Sequence, residues 1–107
     1  MFNSSVNANI YIVDNFKFSE KISNIKKNRS NIIDKIKIQA FEKLKKRLLV
    51  EDDLQLIKSN KEVLNLIDNF IINNEKQINK NYQFIVSVKF NPDKVKNFFK
   101  SQNIRFV

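Results

Sequence analysis

Glu51-Asp52-Asp53 is the one cluster of carboxylates in the sequence. It is the natural place to look for a hard cation or for acid/base chemistry. Little else in the chain could join it. There is no His and no Cys, so no Ser or Lys has the usual base partner that makes a nucleophile. Zinc, copper and haem lose their customary ligands for the same reason. There is no Gly, which removes the phosphate-cradling loops that need close backbone approach. The triplet is therefore read as a solvated turn that ends one helix, with Asp52-Asp53 capping the next segment. No metal, no cofactor and no enzymatic activity is expected.

The remaining polar chemistry is positive charge, a formal +9. The basic residues are all Lys except Arg29, Arg47 and Arg105, whereas Arg is the side chain favoured for bidentate recognition of phosphate. Lys, Asn, Ile and Phe, which dominate the composition, share A/T-rich codons, so part of the charge reflects base composition. Lys35, Lys43, Lys45, Lys46 and Arg47 fall on one stretch, with Lys26, Lys27 and Arg29 just before it. A solvated helix face is the first reading of that stretch. A docking surface for an acidic partner is the second, with Lys43, Lys46 and Arg47 as its candidate residues. A single-stranded nucleic-acid module of RNA-recognition type would use Tyr82, Phe84 and Tyr11 as stacking rings. Against it, Asn81 and Gln83 stand where such folds carry glycines, and the first and late strands are too far apart in sequence. The rings also share parity with Val86, Val88 and Phe90, which marks them as core.

The element that must position all of this is residues 82–90. Tyr82, Phe84, Val86, Val88 and Phe90 alternate with Gln83, Ile85, Ser87 and Lys89, the period of a half-buried strand. Asn91-Pro92 stops it and opens a helix over 92–102, with Val95, Phe98 and Phe99 inward. Ile10-Tyr11-Ile12-Val13, Phe16 and Phe18 predict a first strand over 9–18, bulged at Asp14-Asn15, with Ile10, Ile12, Phe16 and Phe18 on one side. Residues 19–30 read as a loop. Residues 31–49 read as a long helix, capped by Asn28, Ser30 or Asn31. Its stripe is Ile33, Ile36, Ala40, Phe41, Leu44 and Leu48; Lys35, Lys37, Glu42, Lys43, Lys45 and Lys46 point elsewhere, and Glu42 pairs with Lys46. Leu54, Leu56 and Ile57 form a short turn on the core. Ser59-Asn60-Lys61-Glu62 matches a capping box, predicting a helix over 60–68 that buries Val63, Leu64 and Ile67. Residues 70–78 read as a strand paired antiparallel with 82–90 through Asn79-Lys80-Asn81. Ile104-Arg105-Phe106-Val107 reads as a closing strand.

The result is an α+β fold in the order β-α-α-β-β-α-β, an antiparallel sheet with helices packed on one face and strand 82–90 at its centre. At 107 residues the chain is one domain, over 9–107, behind a leader at 1–8. With no Gly, turns must use Asn, Ser and Asp. No apolar run reaches the ~18–20 residues that span a bilayer. Val6-Asn7-Ala8 has the small residues of a signal-peptidase site but lacks the upstream apolar segment, so it is either a signal remnant or coincidence.

Three segments resemble a proteobacterial domain-of-unknown-function family of exported envelope proteins. Ala40-Phe41 with Leu44 and Arg47-Leu48 looks like its long-helix motif. Glu75 looks like its acidic position before the turn. Tyr82, Val86, Val88, Phe90-Asn91-Pro92, Val95 and Phe98-Phe99 look like its most distinctive segment. The resemblance covers roughly residues 9–107. It implies an N-terminal domain, a signal remnant at Val6-Asn7-Ala8 and a periplasmic or exported setting, with a cytoplasmic one as the alternative. It carries no catalytic residue. The architecture is also similar to small α+β domains of envelope and flagellar assembly proteins. The expected function is a non-enzymatic binding or assembly domain with a protein partner, using an exposed sheet face or edge, with Ile85 as its first candidate residue.

Overall fold

The computed structural model describes residues 10–54, Ile57 and residues 60–104. Among them three strands form one antiparallel sheet, β1 (Ile12–Lys21), β2 (Ile67–Ile78) and β3 (Asn81–Phe90), in the order β1-β3-β2. The strand with the cleanest alternation is central, as its pattern predicts. Its even-numbered side chains, Tyr82 to Phe90, are all buried on one face. The long helix α1 (Ile25–Leu48) lies against that face and joins β1 to β2, which sit at opposite edges. A short helix α2 (Glu51–Leu54) and a 3-10 segment (Lys61–Leu66) follow it, and α3 (Pro92–Ser101) leaves β3 at Asn91. The α+β architecture with helices on one side of the sheet is thus the one expected. Burying each large side chain of the α1 stripe stabilises the layer by roughly 1.5–3 kcal/mol.

Local choices without glycine fall to Asn. Asn24, Asn60 and Asn91 are the N-caps of α1, the 3-10 segment and α3, each accepting a backbone N–H through its side chain. Among the described residues the left-handed positions are Asn15, Asn79 and Asn103, and Asn tolerates that region better than other non-glycine residues. At Asn103 the α3 terminus closes as a Schellman motif. Ile104 N–H donates to Phe99 O and Asn103 N–H to Lys100 O, and the Ile104 side chain is buried.

Several boundaries differ from the sequence reading. α1 begins at Ile25 under an Asn24 cap, so residues 19–30 are the end of β1 and the first turns of a helix, and neither Asn28, Ser30 nor Asn31 is the cap. Starting the helix there turns Ile32 fully inward and leaves Ile33 half-buried. Lys45, expected to point outward, is buried. Glu42 pairs with it at 2.8 Å, at a spacing of three rather than the four of the expected Glu42–Lys46 pair. The expected helix over 60–68 is a 3-10 turn, because Ile67 already belongs to β2; Val63 and Leu66 are its buried residues. Asn60 accepts from Glu62 N–H at 2.9 Å in the place given to Ser59. Leu54 packs on the core and Ile57 is buried. The leader at 1–8 with Val6-Asn7-Ala8, together with Leu56, Ser59 and Arg105-Phe106-Val107 of the expected closing strand, lies outside the described residues; Ile104 is not in a strand.

Three register shifts set the phase of the outer strands. In β1 the register slips between Val13 and Phe16, and in β2 it slips between Ile72 and Asn74, with a further slip between Ile67 and Asn69. The bulge expected at Asp14-Asn15 is present. Its consequence is that Tyr11 and Val13, not Ile10 and Ile12, share the buried side with Phe18. An extra residue in a strand exchanges the two faces beyond it.

Charge is sorted across the α1–sheet layer. Arg29 clamps Glu75 of β2 through two bonds of 2.6 and 2.8 Å, with its guanidinium carbon 5.8 Å from the centre of the Phe84 ring. Lys35 pairs with Glu20 of β1 and lies over Phe18, and Lys37 lies over Phe70 at 4.9 Å. Much of the charge on this helix therefore seats it on the sheet. The Arg29 hydrogen bonds hold the Glu75 carboxyl below its ordinary range. A depressed carboxylate adds stability above its ordinary pKa and loses it as pH falls through the lowered value. We therefore expect Glu75→Gln to cost about 0.5–1 kcal/mol at neutral pH, both side chains being partly solvated. That deficit should vanish in acid, and urea melts of both proteins at several pH values check it.

Candidate interaction surface

The odd-numbered side chains of β3 emerge on the sheet face opposite α1. Antiparallel register extends them into cross-strand rows. Ile12, Lys89 and Asn69 form one row, and Lys17, Ile85 and Asn74 another. Ser19, Gln83 and Lys76 follow, then Lys21, Asn81 and Ile78. Ile85 is half-buried at the middle of this face, while Ile71 and Ile78 are 50% and 59% exposed. The described helices pack on the other side, so among the described residues this is an open surface that mixes apolar and basic side chains.

Between the first two rows, the bulges at Asp14-Asn15 of β1 and Asn73 of β2 meet at Ser87. Its hydroxyl donates to Asp14 Oδ1 and accepts from Asn73 Nδ2 at 2.7 Å and from the Asn15 backbone N–H at 3.4 Å. One donor and two acceptor sites satisfy that hydroxyl completely. The strands draw back around it, leaving a shallow depression of about 380 Å³ whose walls include Ile12, Ile71, Asn69 and Lys89. The Ser87 hydroxyl is engaged from both edge strands, by Asp14 and Asn15 of β1 and Asn73 of β2, and so pins them to the centre. Ser87→Ala is expected to cost about 1–2 kcal/mol. It should also speed amide exchange at both bulges more than elsewhere, and exchange that rises uniformly would refute the clamp.

The sequence-derived site residues separate onto two sides. Ile85 is on the open face. Lys43 and Lys46 are exposed on α1, which lies on the other side of the sheet. Arg47 donates to both Ile10 O at 2.9 Å and Ile12 O at 2.6 Å. Because Tyr11 O accepts from Phe90 N–H inside the sheet, the carbonyls on either side of it face outward, and Arg47 caps that stretch of the β1 edge. Tyr82, Phe84 and Tyr11, the stacking rings of the nucleic-acid reading, are 9%, 0% and 6% exposed on the covered side. Tyr82 Oη donates to Gln77 Oε1 at 2.7 Å. Burial and then the Asp93 carboxylate push the Tyr11 phenol above its ordinary pKa. Stacking on them would require α1 to leave the sheet.

Glu51, Asp52 and Asp53 fall in the first turn of α2, where carboxylates complement the helix dipole. No group of metal-ligating residues occurs among the described residues, and no described helix is long and apolar enough to cross a membrane. What sequence reasoning missed is the company Ile85 keeps. Lys17, Lys21, Lys76 and Lys89 gave no local signal, because only the pairing register brings them together. No protein-family model, curated protein or solved structure matches this chain, so the surface is known by its own residues alone.

Proposed function

We propose that this chain is a non-enzymatic binding or assembly domain that presents the open face of its sheet, centred on Ile85, to a protein partner. The observation that carries this is the asymmetry of the sheet. Every even-numbered side chain of β3 is spent on the core, while the opposite face keeps Ile12, Ile71, Ile78 and Ile85 among polar groups. The setting proposed with it is the periplasm or cell envelope, on the resemblance to exported envelope proteins and on Val6-Asn7-Ala8, with the cytoplasm as the alternative.

Ile85→Asp tests the reading. The substitution adds a charge to the face without emptying the core, so the thermal midpoint is expected to stay within a few degrees. Chemical cross-linking in the source cells should then lose the species captured by the unaltered protein. Unchanged capture with intact folding would remove this face from the function.

A further inference from the structure

The strands carry charges of both signs, and the register separates them by face. Glu20 pairs with Tyr82 and Glu75 with Phe84, so both acids stand on the α1 side, held by Lys35 and Arg29. Lys17 pairs with Ile85, Lys21 with Asn81, Lys76 with Gln83 and Lys89 with Ile12 and Asn69, so all four stand on the open side. None of these four lysines has an acidic partner among the described residues. Asp14, the carboxylate at the β1 bulge, accepts from the neutral Ser87 hydroxyl and lines the same depression as Lys89. The face therefore sets four ammonium groups and the Asp14 carboxylate among isoleucines, a net positive patch.

We propose that the occupant of this face is an acidic polypeptide segment whose carboxylates alternate with apolar side chains. This rests on the reading that the open face is the binding surface, and adds the chemistry of the partner. Carboxylates would meet Lys17, Lys21 and Lys76, while apolar groups would cover Ile85, Ile78 and Ile71. A nucleic acid fits less well, because among the described residues the face has no exposed ring on which a base could stack and no Arg to fork a phosphate. A second copy of this chain fits less well too, since two such faces would oppose like charges.

The test uses the full chain and three probes at low salt. One is a 20-residue synthetic amphipathic peptide with glutamates on one side and leucines on the other. The second is the same peptide with glutamine for glutamate. The third is a 20-nucleotide oligothymidylate. Amide chemical shifts should map the acidic peptide to Ile71, Ile78, Gln83 and Ile85, with binding weakened several-fold as screening salt is added. The double variant Lys17→Gln/Lys76→Gln should lose about tenfold in affinity. Lys43→Gln/Lys46→Gln, an equal loss of charge on α1, should stay within about twofold. The glutamine peptide binding the same face equally tightly would overturn the acidic partner and leave the binding face standing. Shifts mapping to α1, or loss on the Lys43/Lys46 variant instead, would overturn both. Oligothymidylate binding the face as tightly as the acidic peptide, no binding of that peptide, or a dimer that buries the face would each overturn the proposal.

Discussion

Phe41→Ala should unfold much of what holds this protein together, at a cost of about 3–5 kcal/mol. Phe41 is fully buried where α1, β3 and α3 meet. Its ring lies 5.7 Å from Phe90, 6.0 Å from Phe98 and 6.2 Å from Phe99, so one side chain joins the helical layer to the sheet and to the last helix. Edge and tilted aromatic contacts add to the area it buries. Domains of this size have roughly 5–15 kcal/mol of stability in total. The urea midpoint should therefore fall steeply with little change in the slope of the transition. Phe41→Leu, which keeps much of the volume, should recover most of the loss. A cost below about 1 kcal/mol for the alanine variant would mean that α3 and α1 are not joined through this ring.

The second large effect belongs to a buried charge. Lys45 is 2% exposed; its ammonium donates to Ile57 O at 2.7 Å and pairs with Glu42 at 2.8 Å. Lys45→Met keeps the stem and removes the charge. Relief from desolvation would favour methionine, and replacing a whole buried ion pair by apolar groups is often neutral. Here only one partner leaves. Glu42, 47% exposed, can turn to water, whereas the bond to the Ile57 carbonyl is buried and that group loses its charge-assisted donor. The net cost should be about 1.5–3 kcal/mol. Amide exchange should accelerate first around Ile57, because Lys45 tethers that residue to α1. A neutral or stabilising Lys45→Met would show that the ammonium is a burden on the fold.

Legibility followed the range of the interactions involved. Strand 82–90 and the Asn91-Pro92 stop were plain because alternation and capping are local. The left-handed turns were foreseeable in kind, since a glycine-free chain leaves Asn as the best alternative. The start of α1 was hidden because Ser23, Asn24, Lys26, Lys27 and Asn28 have loop-like composition. Ile22, Ile25 and Ile32 hold that stretch on the core, but they are too sparse to show as a stripe. Ile67 began a strand where a helix was expected because β3 offers it a partner at Phe90, and tertiary pairing overrides a capping signal. Lys45 looked like any lysine on a basic helix; its burial depends on a carbonyl twelve residues on. Ile85 was readable as outward-facing, but the four lysines around it come from three strands, and bulges in both edge strands decide which of their side chains share its face.

The irregular borders of the sheet have one more effect. Arg47 occupies the outward carbonyls at the start of β1, Asp14-Asn15 bends that strand further along, and β2 is broken twice in register. A newcomer strand finds the start of the β1 edge occupied and the β2 edge interrupted at two places. Association by templated ladder growth, which is largely blind to residue identity, is thereby discouraged. On the proposed reading a binder arrives broadside and is read through its side chains, which makes recognition depend on the visitor's sequence.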